Sequence, residues 1–400
     1  MTDAAAPAPS LRLTRLSLSQ FRSYPALHWR PAGHVVVLHG PNGSGKTNLL
    51  EAISLLVPGR GLRGARIADL ARRGQAAWAV AGRFATPDGP ADIGTGTPPD
   101  GPADRRTFRL DGAAPRSQAE IAARVSAVWL TPQMDRLFQE GASGRRRFLD
   151  RLVYALEPHH AREVAAHDTA MAGRNRLLAT GRADPAWLAG LEDQIARHAV
   201  AASVARAALV THLNAVLADG AAAPFPPARL VLVDAIADRL AAEPALAAED
   251  WLRETLAAER ARDAAAGGAA HGAHRADMAL ADAETGLAAS LASTGQQKAL
   301  LVGVVLGHAA LLARARGFAP LLLLDEPAVH LDAERRAALF AALLRLPAQA
   351  FLTSADRETF LPLRGMAEGW QVAPGTVQPD ADFPAPRPPD FCGGAAPLSI

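Results

Sequence analysis

Hydrophobic positions along this chain recur with two different periods, and the period changes with position. Leu11 to Ser19 ("LRLTRLSLS") alternate apolar and polar residues, which predicts a half-exposed strand. Val35 to Leu38 form a continuous run, the mark of a short strand buried on both faces. Residues 86–104 are rich in Pro, Gly and Asp and predict an exposed hairpin loop. "RTFRLDG" (106–112) and "VSAVWLTP" (125–132) read as further strands, the second stopped by Pro132. From about Met134 to Arg262 the text turns to Ala, Leu and Arg at helical spacing. Breaks fall at Pro158, at Asp184-Pro185 and over 220–227, so this stretch predicts a mainly helical insert. Within it "ARLVLVD" (228–234) reads as a lone strand, and strand text returns at 276–282. A long apolar helix from Lys298 to Ala315 precedes "LLLLD" (321–325), a second buried strand. Proline-rich text after Gly375 predicts a tail that does not pack. The division is therefore 11–133, 134–270, 271–374 and a tail of 375–400.

The buried run at Val35 leads into "GPNGSGKT", a G-x-x-x-x-G-K-T loop followed by apolar residues at helical spacing. Strand, loop and helix in that order are what a phosphate-binding P-loop requires. Gly40, Gly43 and Gly45 let backbone N–H groups turn inward, and the helix N-terminus adds its positive dipole end. Pro41, Asn42 and Ser44 complete the loop, and Asn48 opens the helix behind it. Lys46 is placed to reach the terminal phosphates of ATP, and the Thr47 hydroxyl to ligate Mg²⁺. A glycine-rich turn that matches by accident is the competing reading. The only lysines are Lys46 and Lys298; every other basic side chain apart from histidine is arginine. Lysine is retained where a compact charge on a slender stem suits phosphate better than a guanidinium fork.

Composition narrows the class. The chain has a net charge of +2, so charge alone does not announce a nucleic-acid binder, and any basic surface must come from local arginine clusters. Arg60, Arg63, Arg66, Arg72 and Arg73 follow the P-loop helix, and Arg145, Arg146 and Arg147 open the helical insert. They read either as a DNA-phosphate surface or as solvated and internally paired side chains, with Asp150 a partner for the second group. A single cysteine, Cys392, excludes internal disulfides and fits a reducing cytoplasm. No segment offers 18 uninterrupted apolar residues, so no membrane span is expected. His271 and His274 with Cys392 are too few for a metal site; His274 and Arg275 read either as supports of the nucleotide region or as structural residues.

"LLLLDEPAVHLD" (321–332) supplies the other half of a nucleotide site. Asp325 ends a buried strand where a carboxylate would complete the Mg²⁺ shell, and Glu326 follows, placed to orient or deprotonate water. "ASTGQQKAL" (292–300) sets Ser293, Gly295 and Gln296 ahead of a long helix and resembles the signature motif of ABC-type ATPases. In that family the motif binds the nucleotide of the opposite subunit, which implies an ATP-dependent homodimer, with Asp332 in a dimer-crossing loop. The 246 residues between Thr47 and Ser293 exceed the insert of transporter ATPases, and the prolines within them exclude a long coiled coil.

Several further stretches resemble the RecF family. "LSLSQFRSYPAL", "GPNGSGKTNLLEAISLL", "GRGLRGARIADLARRG", "LTPQMDRLFQEGASGRRRFLDRLV", "HGAHRADM", "LLLLDEPAVHLD" and "QAFLTSAD" carry the likeness from residue 11 to about 356. Glu326 stands where many relatives have aspartate, and Ala273 replaces a proline. Thr353-Ser354 stand where transporters carry a switch histidine, and Gln133 lies in the Q-loop region. The resemblance implies an α/β fold: an ABC-type, SMC-like and Rad50-like P-loop ATPase head with an inserted helical arm. It implies ATP and Mg²⁺ as cofactors and slow, DNA-stimulated hydrolysis. The implied partners are duplex DNA at single-strand gaps, RecO and RecR, with no membrane and a cytoplasmic setting. A transporter ATPase subunit and a nuclease-associated ATPase are the rival readings.

Overall fold

A computed structural model of the chain describes residues 11–98, 101–102, 104–181 and 184–386. The N-terminal third begins with strands β1 (Arg12–Phe21) and β2 (Tyr24–Trp29) and strand β3 (Val35–His39). Helix α1 (Lys46–Leu55) follows, then β4 (Ala79–Thr86), β5 (Gly89–Gly96) and β6 (Thr107–Leu110). Strands β2, β1, β4, β5 and β6 form an antiparallel sheet in that order. In β1 the inward residues Leu13, Leu16, Leu18 and Phe21 change phase between Leu13 and Leu16, and a register shift between Leu13 and Arg15 absorbs the change. The predicted loop at 86–104 is corrected here. Its first half is β5, whose Ala91, Ile93 and Thr95 are buried; its glycines hid an alternating pattern that packing against the sheet reveals.

Helix α2 (Gln118–Arg124) and strand β7 (Ala127–Leu130) precede the helical region. This comprises α3 (Ala142–Leu156), α4 (His160–Ala179), α5 (Pro185–Ala218), strand β8 (Ala228–Val233), α6 (Ala235–Leu240), α7 (Ala245–Ala258) and α8 (Arg260–Ala266). Its outer part has a core of its own, in which Met171 of α4, Ile195 and Val200 of α5, and Leu252 and Leu256 of α7 pack together. A buried ionic cluster locks that core: Arg174 donates to Glu192 (3.0 Å), Asp263 (2.8 Å) and the Leu256 carbonyl. The C-terminal half of α5 instead joins the main core through Leu209, Leu213 and Leu217. Strand β8 is not alone, since it pairs antiparallel with β9 (Asp277–Asp282).

The last third supplies α9 (Thr294–Arg316), β10 (Leu321–Leu324), α10 (Ala333–Arg345), β11 (Ala350–Ser354), β12 (Glu368–Ala373) and β13 (Thr376–Pro379). The central sheet runs β13-β12-β3-β11-β10-β7, parallel throughout except for β13. Strands buried on both faces explain the continuous apolar runs at 35–38 and 321–324. Helices α5 and α9 are long and apolar enough to cross a membrane by composition; in the fold α9 is largely enclosed in the main core and α5 is about half buried.

The predicted tail begins too early. Strand β13 pairs with β12, and Phe383 is buried against Gly369, where a Cβ would come within 2.4 Å of the ring's own Cβ. Proline content suggested chain that cannot pack, yet Pro379 ends an edge strand, where it costs no ladder bond. Residues 387–400, including Cys392, lie outside the described residues.

Candidate nucleotide site

Because β3, β11, β10 and β7 are parallel and in register, the segments that leave them emerge at one edge of the sheet. Ligands of open α/β sheets bind at that carboxyl edge. The P-loop leaves β3, Asp325 and Glu326 leave β10, Thr353 and Ser354 end β11, and Thr131 to Arg136 leave β7.

The loop at 40–47 is built by close approach. A Cβ on Gly40 would lie 2.2 Å from the Val372 carbonyl oxygen, and one on Gly45 would lie 2.8 Å from the Tyr24 and Ser23 oxygens. Gly43 has φ +81° with open space beside it, the opening a phosphate needs. Pro41 and Asn42 are exposed, whereas Ser44 is buried with its hydroxyl unpartnered. Lys46 is buried and folds back onto the carbonyls of Gly40 (2.6 Å) and Pro41 (3.0 Å). Burial lowers its pKa, against the raising influence of Glu326 and Asp325. Helix α1 has no side-chain cap and no acid in its first turn, so its N-terminal N–H groups stay available. An unpartnered hydroxyl, free N–H groups and an ammonium held only by carbonyls fit a polyphosphate.

Opposite the loop, the Thr47 hydroxyl donates to Asp325 Oδ1 at 3.0 Å, and the Thr353 hydroxyl donates to the same oxygen at 2.7 Å. Two ligand oxygens about 2.9 Å apart are what adjacent corners of an octahedral Mg²⁺ shell with bonds of about 2.1 Å require. Thr47 and Asp325 are therefore spaced as two ligands of a magnesium ion would be. Glu326 adopts φ 50°, a left-handed conformation rare for a side chain of this size. Its backbone is held at both ends: the N–H donates to Thr353 Oγ1 (2.9 Å), and the carbonyl accepts from Lys298 Nζ (3.1 Å). Lys298 is 1 % exposed and also meets Asp135 at 3.2 Å. Burial lowers the Lys298 pKa, and its acidic neighbours oppose that.

The signature motif starts α9 with a reciprocal capping box. Ser293 N–H donates to Gln296 Oε1 (2.9 Å), and Gln296 N–H donates to Ser293 Oγ (3.4 Å). Both residues are exposed. A Cβ on Gly295 would approach the His330 carbonyl to 3.1 Å, so the loop before Asp332 rests against the signature turn. Asp332 caps α10, accepting from the Arg335 N–H at 2.8 Å and pairing with its guanidinium at 2.9 Å.

Other sequence expectations are redirected. Asn48 spends its amide on scaffolding: it donates to Ser23 Oγ (2.9 Å) and accepts from Arg63 (2.9 Å). Arg63 also reaches Glu51, which takes both guanidinium arms of Arg22 at 2.8 Å. Arg60, Arg66 and Arg73 are exposed, and Arg72 is half-buried. Arg145 and Arg146 turn inward: Arg145 grips both oxygens of Asp277 at 2.8 Å, and Arg146 donates to the Ala276 carbonyl. Asp150 is not their partner, because Arg206 and His160 take it. His274 and Arg275 both bond the Ala269 carbonyl rather than any residue of the P-loop or the signature turn. Gln133 is exposed and makes no hydrogen bond among the described residues. No cluster of three metal-ligating side chains occurs among the described residues.

The sequence reading missed three supports. The Tyr24 hydroxyl donates to the Gly45 carbonyl (3.1 Å), and Thr353 bridges Asp325 to Glu326. His39, just before the P-loop, meets Asp380 at 2.8 Å, and Arg357 holds Asp380 with both arms. "FRSY" was visible as a motif, but nothing local tells that its tyrosine reaches the loop.

A family model described as an AAA domain, putative AbiEii toxin, Type IV TA system, matches residues 35–354. The DNA replication and repair protein RecF of Mesorhizobium japonicum is 46% identical over 374 residues, covering 92% of this chain and 98% of its own length. That of Allorhizobium ampelinum is 43% identical, covering 89% and 96%. A solved structure of the recombination mediator protein RecF with ATP superposes with TM-score 0.79 at 21% identity, covering 95% of this chain and all of that one. The Smc head domain from Pyrococcus furiosus gives TM-score 0.50 at 14% identity, covering 92% and 95%. The structural likenesses establish the ABC-type, SMC-like head; the sequence likeness, spanning nearly the whole of both chains, decides the family. The chain belongs to the RecF family of DNA replication and repair proteins.

Proposed function

We propose that the protein is an ATP-switched DNA-binding factor of recombinational repair, in which two ATP molecules join two copies. The observation that carries this reading is the meeting of Lys46, Thr47, Asp325 and Glu326 at one sheet edge, while Ser293 stands exposed at the start of α9. A monomer thus offers a cis site and an unpaired signature turn. Exposed apolar side chains flank that turn, Leu291 at 78 %, Val329 at 42 % and Leu287 at 37 %, as a surface awaiting a second copy would have. In the dimer, Ser293, Gly295 and Gln296 bind the terminal phosphate of the partner's nucleotide, and Asp332 lines the crossing loop.

Within each cis site the P-loop amides from Gly40 to Thr47 cradle the phosphates, and Lys46 leaves its carbonyls for them. Mg²⁺ held by Thr47 and Asp325 would neutralise charge on the terminal phosphates. Glu326 would orient the attacking water and accept its proton, and Gln133 would be the residue placed to sense the metal. Head (11–133 and 271–374) and arm (134–270) close over duplex DNA, with Arg60, Arg66 and Arg73 on its phosphates. The proposed reading extends to DNA at single-strand gaps, RecO and RecR as partners, DNA-stimulated turnover and a cytoplasmic setting. The test uses Glu326→Gln with ATP and Mg²⁺, light scattering for mass, and titration with gapped and blunt duplex DNA. Doubling of mass with a rise in DNA affinity is expected. A monomer under all conditions would overturn the dimer reading, and a dimer indifferent to DNA would overturn the coupling.

A further inference from the structure

Behind the segment that leaves β7, helix α3 and Thr131 to Met134 line a cavity of about 540 Å³. Leu62, Met134, Leu137 and Phe148 give it apolar walls. Three guanidiniums, of Arg136, Arg147 and Arg151, face it against one carboxylate, Glu140. Arg136 and Arg147 are exposed and form no ion pair among the described residues.

Arg151 is the unusual member. Its guanidinium lies over the rings of Trp129 and Phe148, 5.2 and 5.1 Å from their centres, and among the described residues its one hydrogen-bond partner is the Met134 sulfur at 3.4 Å. Its apolar surroundings lower its pKa with no acidic neighbour opposing the shift, although the side chain remains partly exposed. Several other buried or half-buried arginines meet oxygen acceptors. Arg174 and Arg206 pair with carboxylates, and Arg106 and Arg316 lie on backbone carbonyls. Arg151 is partly exposed and has no carboxylate or carbonyl partner among the described residues, so its guanidinium is open to an acid that enters the cavity.

We infer that this cavity is a docking site for an acidic peptide segment of a partner protein, its carboxylate meeting Arg151 and Arg147 and an adjacent apolar side chain filling the space among Leu62, Met134, Leu137 and Phe148. Charge complementarity selects an acid, and the apolar walls select a peptide over a phosphodiester, which has no group to fill them. The site is also wired to the nucleotide. Gln133 lines it, and two residues on Asp135 bonds Lys298, which holds the Glu326 carbonyl. An occupant would therefore bear on the segment that positions Glu326. This inference stands apart from the DNA-binding reading.

The test selects phage-displayed random heptapeptides on the full chain, with Arg147→Glu as counter-selection. The consensus peptide is then titrated by fluorescence anisotropy against wild type, Arg147→Glu and Arg151→Met. Acid-rich peptides with a neighbouring Leu, Ile or Phe are expected, weakened about tenfold or more by Arg147→Glu. Because Arg147 is exposed, that variant keeps the wild-type circular dichroism and ATP affinity even if Arg151→Met loses stability. Failure to enrich acids, or equal binding to wild type and Arg147→Glu, overturns the inference. So does a result in which Arg147→Glu weakens a duplex oligonucleotide while no acidic peptide emerges, since the cavity would then serve DNA.

Discussion

Replacing Lys298 by methionine tests how Glu326 is held. The ammonium donates one hydrogen bond to a carboxylate and one to the Glu326 carbonyl, from a side chain that is 1 % exposed. Hydrogen bonds of charged groups contribute about 1.5–3 kcal/mol each, and desolvation of the buried ammonium offsets part of their sum. The Asp135 side chain is 17 % exposed, so water recovers some of its solvation when the lysine is lost. We expect a net loss of about 2–3 kcal/mol in unfolding free energy, read as a lower urea midpoint. If Glu326 handles the attacking water as proposed, the larger effect falls on turnover. A left-handed backbone at a non-glycine residue costs about 1–3 kcal/mol and persists only where its surroundings enforce it. Without its carbonyl tether Glu326 relaxes, and misplacement by about 1 Å lowers kcat by about a hundredfold. ATP affinity, set by the P-loop, should change little. A cycle with Asp135→Asn should show coupling of about 1 kcal/mol between the two positions. An unchanged urea midpoint together with unchanged kcat would refute the tether, and equal losses of kcat and ATP affinity would place Lys298 in binding instead.

Tyr24→Phe removes the bond to the Gly45 carbonyl, which still accepts from the Leu49 N–H, so the cost should be about 0.5–1 kcal/mol and the loss of ATP affinity about fivefold or less by calorimetry. Arg174→Met leaves Glu192 and Asp263 in a buried site; we expect about 3–5 kcal/mol of destabilisation confined to the outer helical core, seen as faster hydrogen exchange in α4, α7 and α8 while exchange in β3 and β10 is unchanged. Arg357 holds the Asp380 carboxyl down to about 2, so its contribution is present above the ordinary carboxylate value and is lost as pH falls through about 2. Burial lowers the His39 pKa, so stability also falls as pH drops below the ordinary imidazole value. Asp380→Asn should therefore destabilise at pH 7 and converge on wild type as pH falls below about 4; a difference constant with pH would remove Asp380 from the ionic clamp.

The sequence by itself marked the candidate nucleotide site, because the chemistry that such a site needs is local. Consecutive N–H groups at a strand–loop–helix junction, a carboxylate ending an apolar strand, and a capped helix start each lie within about a dozen residues of chain. Periodicity likewise marked the two buried strands and the helical insert. Only the tertiary structure decided which side chains hold that apparatus in place. With 42 basic and 40 acidic residues, many ion pairs are compatible with the sequence, and no local pattern ranks them. Arg145 chose Asp277, 132 positions away, over the nearby Asp150, because α3 packs against β9. Lys298 meets Asp135 across 163 positions because α9 crosses behind the segment leaving β7. The same holds for β5 and for Thr376–Pro379, in text whose glycines and prolines read as loop or tail. They became strands when sheet edges offered hydrogen-bond partners that such residues cannot find alone.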